Sequence, residues 1–187
     1  MCGRYHFGIP DTGKGRKIKE RARKIGLTYK TGEIFPSDKV LCIVPIGSSL
    51  DLAVKKWGIQ GRFFQINARI ESIGESRTYR DMKDRRCAVL CDGFYEWDKE
   101  KNRYFITCGE ELMYLACIYN GDDELLIITK EADERFRDIH ERMPIVMDEE
   151  EMKAYIHNED PLIKDKELVI TREEYEMKLF EVSSKNT

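Results

Sequence analysis

The fold class follows from residues 86–129, which read RCAVLCDGFYEWDKEKNRYFITCGEELMYLACIYNGDDELLIIT. Short runs rich in apolar, β-branched and aromatic residues alternate here with turn-forming residues, and such runs are typical of strands. The predicted strands lie near 86–91, 93–98, 103–108, 112–119 and 124–129. The links KEKN at 99–102 and NGDD at 120–123 are short. Because a parallel pair needs a longer crossover, these links predict antiparallel neighbours.

The rest of the chain adds strands and peripheral helices. Further strands are predicted at 39–46, 51–57 and 178–183, and helices at 14–25, 76–84 (beginning at Ser76), 131–139 and 148–157. Together these elements predict an α+β fold, with a mostly antiparallel, barrel-like curled sheet and peripheral helices. A length of 187 residues with 41% hydrophobic content fits one domain, residues 1–187.

The charges are unevenly distributed along the chain. Residues 1–90 contain 19 Lys and Arg against 9 Asp and Glu, whereas residues 91–187 contain 13 against 26. A basic half in a chain of net charge −3 indicates a local anion-binding face. The basic helix at 14–25 either extends that face or is simply solvated.

Composition also sets expectations about compartment and cofactors. No apolar run reaches the length of about 18–20 residues that a membrane span needs, and the N-terminal MCGRYHFG does not resemble a targeting segment. The six cysteines include no C-x-x-C pair, and no histidine lies near the runs CAVLC and YLACIY, which disfavours a zinc site. We therefore expect a cytoplasmic monomer without a metal or cofactor.

Cys2 follows the initiator Met1 directly. Removal of Met1 would leave Cys2 with an α-amine of pKa about 7.7–8.0 next to a thiol of pKa about 8.5. Such a 1,2-aminothiol attacks an aldehyde through its amine to give an imine, and its thiol then closes a thiazolidine ring. Cys2 therefore indicates covalent chemistry on a carbonyl.

Four segments carry the remaining chemistry: CGRY at 2–5, NARIE at 67–71, DGFYEW at 92–97 and HERMP at 140–144. In this order and spacing the chain resembles the SOS-response-associated peptidase (SRAP) family, from Cys2 to about Val146. The resemblance implies an SRAP-like fold and a role in the DNA damage response. It implies recognition of abasic sites in single-stranded DNA and a covalent crosslink through the N-terminal cysteine.

The resemblance gives the catalytic set as Cys2, Asn67, Glu96 and His140. His140 can move protons near neutral pH, and the aromatic residues beside Glu96 would desolvate it and raise its pKa. Each has a plainer alternative: Glu96 could pair with an arginine, and Asn67 could be a turn residue. Glu71 is expected to pair with Arg69.

The predicted DNA-binding set is Arg4, Trp57, Arg69 and Arg80. Arg4 and Arg69 adjoin the motifs and could bind phosphates, and Arg80 matches a family arginine. Trp57 matches a family aromatic that could stack on a base, with core packing as the alternative. The segment between Gly58 and Asn67 is shorter than is usual in the family, and Phe63 or Phe64 could replace a missing aromatic there.

Three functions remain open. The first is an abasic-site crosslinker, which could show weak lyase activity because an imine at C1′ acidifies the neighbouring proton. The second is a cysteine peptidase with an N-terminal nucleophile, in which activity could be limited to removal of Met1. The third is a nucleic-acid-binding module without catalysis, which the Cys2, Glu96 and His140 motifs disfavour.

Overall fold

A computed structural model describes residues 2–160 and 164–173. The strands, in chain order, are β1 (Arg4–Phe7), β2 (Gly32–Ile34), β3 (Lys39–Ile46), β4 (Ser49–Trp57), β5 (Ile59–Gln60), β6 (Phe64–Gln65), β7 (Asn67–Arg69), β8 (Arg86–Cys91), β9 (Gly93–Trp97), β10 (Arg103–Thr107), β11 (Met113–Tyr119), β12 (Glu124–Glu131), β13 (Arg142–Pro144), β14 (Val146–Met147) and β15 (Val169–Glu173). The helices are α1 (Gly13–Lys24), α2 (Ile70–Ile73) and α3 (Glu149–Ile156), with a 3-10 helix at Arg77–Tyr79.

The larger sheet has the order β13-β12-β4-β3-β8-β11-β14, and β7 also pairs with β12. The β12 strand runs parallel to β4 and β7, and the other pairs in this sheet are antiparallel. Because β11 also pairs with β12, the sheet curls into a ring-like arrangement that is not closed. The predicted α+β fold with a mostly antiparallel, barrel-like sheet is therefore confirmed.

The second sheet is wholly antiparallel and has the order β15-β10-β9-β1-β2. The chain passes from β8 in one sheet to β9 in the other through Asp92 alone. The antiparallel pairing expected across the links at 99–102 and 120–123 is confirmed by the β9–β10 and β11–β12 hairpins, whereas β8 and β9 pair with other strands. The Asp92 N–H donates to the His6 carbonyl, so that β9 pairs with β1 instead.

Apolar side chains from the two sheets meet in one core. Tyr5 and Phe7 of β1 are buried while Arg4 and His6 are partly exposed, as the two-residue period of a strand requires. The Tyr5 and Trp57 rings lie 5.4 Å apart, and those of Phe94 and Phe136 lie 5.9 Å apart. Burying a side chain of this size stabilises the fold by about 1.5–3 kcal/mol.

The helix predictions had mixed outcomes. The helices at 14–25 and 148–157 are confirmed as α1 and α3, and the Ser76 Oγ accepts from the Thr78 N–H at 3.2 Å, although only one 3-10 turn follows. The helix at 131–139 is wrong. The β12 strand continues to Glu131, and the Asp133 carboxylate then accepts from the Phe136 N–H at 2.9 Å and stabilises a turn. The predicted strand at 178–183 lies outside the described residues.

Within the described part of the chain, no helix has the length and apolar character to cross a membrane.

Candidate active site

Cys2 is fully buried immediately before β1. Its Sγ donates weakly to the Arg4 carbonyl at 3.9 Å. Burial, together with the negative charge of Glu96, raises the pKa of the Cys2 thiol to about 12. The thiol is therefore protonated at neutral pH, and a neighbouring group has to accept its proton before the sulfur can attack.

Glu96 is the carboxyl group whose charge acts on Cys2. It lies in β9, is only 5% exposed, and its Oε1 accepts from the Trp97 N–H at 3.4 Å. Burial raises the pKa of Glu96, whereas the positive amino terminus of the chain lowers it. The expected desolvation of this carboxyl group is thus found, and it makes the Glu96 carboxylate a stronger base than an exposed one.

His140 lies in the loop between the 133–139 turn and β13. Its Nδ1 accepts from the Arg142 backbone N–H at 3.0 Å, so the proton of the neutral ring is on Nε2. Burial lowers the pKa of His140, and the positive amino terminus lowers it further. The imidazole is therefore neutral at pH 7 and presents a donor at Nε2.

Arg142, in β13 directly after this loop, connects β13 to α2 and β12. Its guanidinium donates to both carboxylate oxygens of Glu71, at 2.9 and 3.0 Å, and to the Thr129 carbonyl at 2.6 Å. Glu71 therefore forms its direct ion pair with Arg142 instead of Arg69, although the Arg69 charge also lowers the pKa of Glu71. The bidentate pair joins the NARIE and HERMP motifs.

Asn67 begins β7 and lies opposite Ile127 of β12. Its Nδ2 donates to the Ile127 carbonyl at 3.4 Å. Its Oδ1 is buried and accepts no hydrogen bond from the described residues. A buried acceptor of this kind is costly unless a ligand or water satisfies it, so Asn67 is suited to binding a donor group of a substrate.

Comparison with known proteins identifies the fold and the motifs. A family model described as SOS response associated peptidase (SRAP) matches residues 1–186. The chain belongs to the SRAP family. Abasic site processing protein YobE of Bacillus subtilis strain 168 is 27% identical over 183 residues, which are 85% of this chain and 83% of the relative. Abasic site processing protein YedK of Escherichia coli K12 is 30% identical over 142 residues, which are 67% of this chain and 64% of the relative.

Solved structures agree with the SRAP fold. A crystal structure from Bordetella bronchiseptica superposes with a TM-score of 0.71 at 18% identity, and the match covers 93% of this chain and 100% of that one. Another, from Bacteroides thetaiotaomicron, gives a TM-score of 0.71 at 19% identity over 91% of each chain. At this identity the likeness shows the fold alone.

The DNA-binding residues predicted from the SRAP resemblance lie in different environments. Arg4 is 27% exposed and lies against two aromatic rings. Arg69 is exposed and lines a cavity of about 440 Å³ with Arg137, Glu141 and others. Arg80 is exposed just after the 3-10 helix.

Trp57 does not have the environment that base stacking requires. It is 0% exposed, and its Nε1 donates to the Ile66 carbonyl at 2.9 Å. No face of its ring is available to a base, so the alternative of core packing is what the structure shows.

Sequence reasoning gave no role to two features of this SRAP chain. The first feature is Arg142, which belongs to the HERMP motif. Its burial, on which its structural role depends, could not be recognised from the sequence. The second feature is His6, whose Nδ1 lies 2.8 and 2.9 Å from the two Asp92 carboxylate oxygens. Within residues 2–160 and 164–173, no group of three or more His, Cys, Asp or Glu residues is placed to hold a metal ion.

Proposed function

We propose that this SRAP protein recognises abasic sites in single-stranded DNA and crosslinks to them through Cys2 after Met1 has been removed. The observation that supports this most is a fully buried Cys2 within the electrostatic influence of a buried Glu96. Relatives from Bacillus subtilis, Escherichia coli and Xenopus tropicalis are named abasic site processing proteins. An abasic deoxyribose in its ring-opened form carries the aldehyde that an N-terminal cysteine traps.

The reaction proceeds in two bond-forming steps. The neutral α-amine of Cys2 adds to C1′ of the aldehyde, and the resulting carbinolamine loses one water to give an imine. The sulfur then adds to C1′ while the imine nitrogen takes up a proton, which closes the thiazolidine. The net change is the loss of one water, with no oxidant or reductant required.

The site residues divide the proton transfers between them. Glu96, with its raised pKa, accepts the proton that the Cys2 thiol must lose. His140 presents Nε2–H, which can donate a hydrogen bond to the departing hydroxyl of the carbinolamine. The Asn67 Oδ1 accepts from a hydroxyl of the sugar. Arg4 and Arg69 bind the phosphates on either side of the lesion, which positions C1′ over the amine.

Two side activities follow from the same groups. The imine acidifies the C2′ proton, so slow strand cleavage of the lyase type accompanies crosslinking. Peptidase action is proposed for the Met1–Cys2 bond alone, because that bond adjoins the Cys2 thiol in the same chain. Intact mass of protein translated in a reconstituted system without methionine aminopeptidase tests this. Loss of Met1 in the wild type but not in Glu96→Gln is expected, and retention in both excludes self-removal.

The test of crosslinking uses a labelled single-stranded oligonucleotide with one abasic site, incubated with protein and run on a denaturing gel. A shifted band is expected with the wild type and none with Cys2→Ala. Cys108→Ser is the matched control, because Cys108 is another reduced cysteine of the chain and should leave the band unchanged. A tetrahydrofuran analogue, which lacks the aldehyde, should give no band. A band that persists in Cys2→Ala, or none with wild-type protein of verified N-terminal Cys2, refutes the proposal.

A further inference from the structure

One face of the smaller sheet carries a row in which an arginine lies between two aromatic rings. The Arg4 guanidinium carbon is 4.2 Å from the centroid of the Phe35 ring and 5.1 Å from that of Trp97. The three residues belong to or follow the adjacent strands β2, β1 and β9. We call Phe35, Arg4 and Trp97 the aromatic row.

Strand register places the aromatic row next to Cys2. Arg4 lies opposite Tyr95, and Tyr5 lies opposite Ile34, so Phe35 and Trp97 both flank the beginning of β1. Cys2 precedes that strand by two residues. The aromatic row therefore borders the position where the reacting sugar would sit.

In the aromatic row, Phe35 is exposed to solvent and the Arg4 guanidinium has few hydrogen-bond partners. Phe35 is 40% exposed, so part of its ring is accessible to a ligand. The Arg4 Nη1 lies 3.9 Å from a Glu33 carboxylate oxygen, beyond hydrogen-bond distance. The Arg4 Nε is buried and has no hydrogen-bond partner among the described residues. The stacked guanidinium thus keeps donors available for an anion.

We infer that the aromatic row is a subsite for the nucleotide next to the lesion, in which Phe35 stacks on its base and Arg4 binds its phosphate. The inference rests on the proposed function. A base beside an abasic position has lost the stacking partner on one face, and an aromatic ring can cover that face. Trp97 holds the guanidinium from the other side, so that ring, cation and base form one continuous stack.

The experiment measures non-covalent affinity for single-stranded DNA in which a tetrahydrofuran residue replaces the abasic site. This analogue cannot react, so the wild-type chain is used with Cys2 intact. One oligonucleotide keeps the bases on both sides of the lesion. A second replaces those two neighbours with further tetrahydrofuran residues, which removes the bases but keeps the phosphates.

The variants separate stacking from apolar area. Stacking on one base contributes enough for Phe35→Ala to weaken binding to the first oligonucleotide by about 5- to 100-fold, and to change binding to the second by less than about twofold. Phe35→Leu keeps apolar area without the ring and should behave like Phe35→Ala. Phe35→Tyr should bind like the wild type. Ile46→Ala, at another exposed apolar position (57% exposed), should change neither affinity.

The inference is overturned if Phe35→Ala weakens binding to both oligonucleotides equally, or weakens binding to neither. Retention of wild-type affinity in Phe35→Leu also overturns it, because area rather than stacking would then suffice. Failure of the proposed function looks different, since the wild type would then bind neither oligonucleotide in preference to an undamaged strand and would form no crosslink with an abasic one.

Discussion

At the scale of single residues, Glu96 gives the clearest prediction. Glu96→Gln keeps the shape of the side chain but removes the group that accepts the Cys2 proton, so the single-turnover crosslinking rate should fall by about 100-fold. Glu150→Gln, on the exposed first turn of α3, is the control and should react at the wild-type rate. A rate for Glu96→Gln within about threefold of the wild type would assign the base to another group.

The pH profile of the same reaction reports on Glu96 directly. Crosslinking requires a neutral α-amine and an ionised Glu96, so both titrations slow the reaction as the pH falls. Burial raises the pKa of Glu96 above its ordinary 4.5. Protonation of Glu96 therefore begins to slow the reaction at a higher pH than protonation of an exposed carboxyl group would. Below that pKa the slope of log rate against pH should be about two in the wild type and about one in Glu96→Gln.

Stability should respond to Glu96→Gln in the opposite direction to activity. The folded pKa of Glu96 is raised, so between the unfolded and folded values the unfolded chain binds fewer protons and stability falls as the pH rises. Above the folded pKa the wild type carries the full cost of a buried charge, which Glu96→Gln lacks. Thermal melts should show a higher Tm for Glu96→Gln at pH 7.5 and equal values at about pH 3.5, where Glu96 is protonated in both states. A lower Tm at pH 7.5 would contradict this.

At the scale of elements, the Glu71–Arg142 pair ties α2 to β13 and so positions His140. Arg142→Lys keeps the charge but loses the bidentate contact and the bond to the Thr129 carbonyl, which should cost about 1–3 kcal/mol of unfolding free energy. The ¹⁵N shifts of the His140 ring should also move from a pure Nε2–H tautomer towards a mixture. Arg21→Ala breaks the exposed Arg21–Asp51 pair, should leave the unfolding free energy close to that of the wild type, and should leave the His140 shifts unchanged. Wild-type shifts in Arg142→Lys would show that the backbone alone fixes the ring.

Elements with a strong local pattern could be predicted from the sequence, and those that depend on distant partners could not. The α1 helix follows from its apolar spacing, and the Ser76 cap from its side-chain chemistry. The 131–139 segment has a helical pattern, but β13 takes Glu131 into the sheet and Asp133 forms a turn. The passage from β8 to β9 escaped prediction because Asp92 joins strands of different sheets, and no local rule specifies the sheet in which a strand pairs.

At the scale of the whole molecule, motif resemblance could name the site residues but not their surroundings. Cys2 and Glu96 share a buried region because β1 and β9 pair over a distance of about ninety residues in sequence, which only the assembled sheet shows. For Trp57, the resemblance predicted a role that the surroundings of the side chain do not allow. Its Trp-Gly context suggested a DNA contact, but the face that β4 turns towards Tyr5 places the ring in the core. Phe35, which belongs to none of the four motifs, is exposed beside Arg4 instead.

Within the basic half of the chain, exposure and existing ion pairs predict which arginines bind phosphate. For single strands the slope of log affinity against log salt changes by about 0.7 for each phosphate contact. Arg69 is exposed at the mouth of a cavity, so Arg69→Gln should reduce that slope by about 0.7 on an abasic-analogue strand. Arg21→Gln is the matched control on α1, because Asp51 already pairs with Arg21 and the slope should not change. Arg80→Gln should resemble Arg69→Gln only if the segment after the 3-10 helix also lies along the strand. Equal slopes for the wild type and Arg69→Gln would remove Arg69 from the DNA contact.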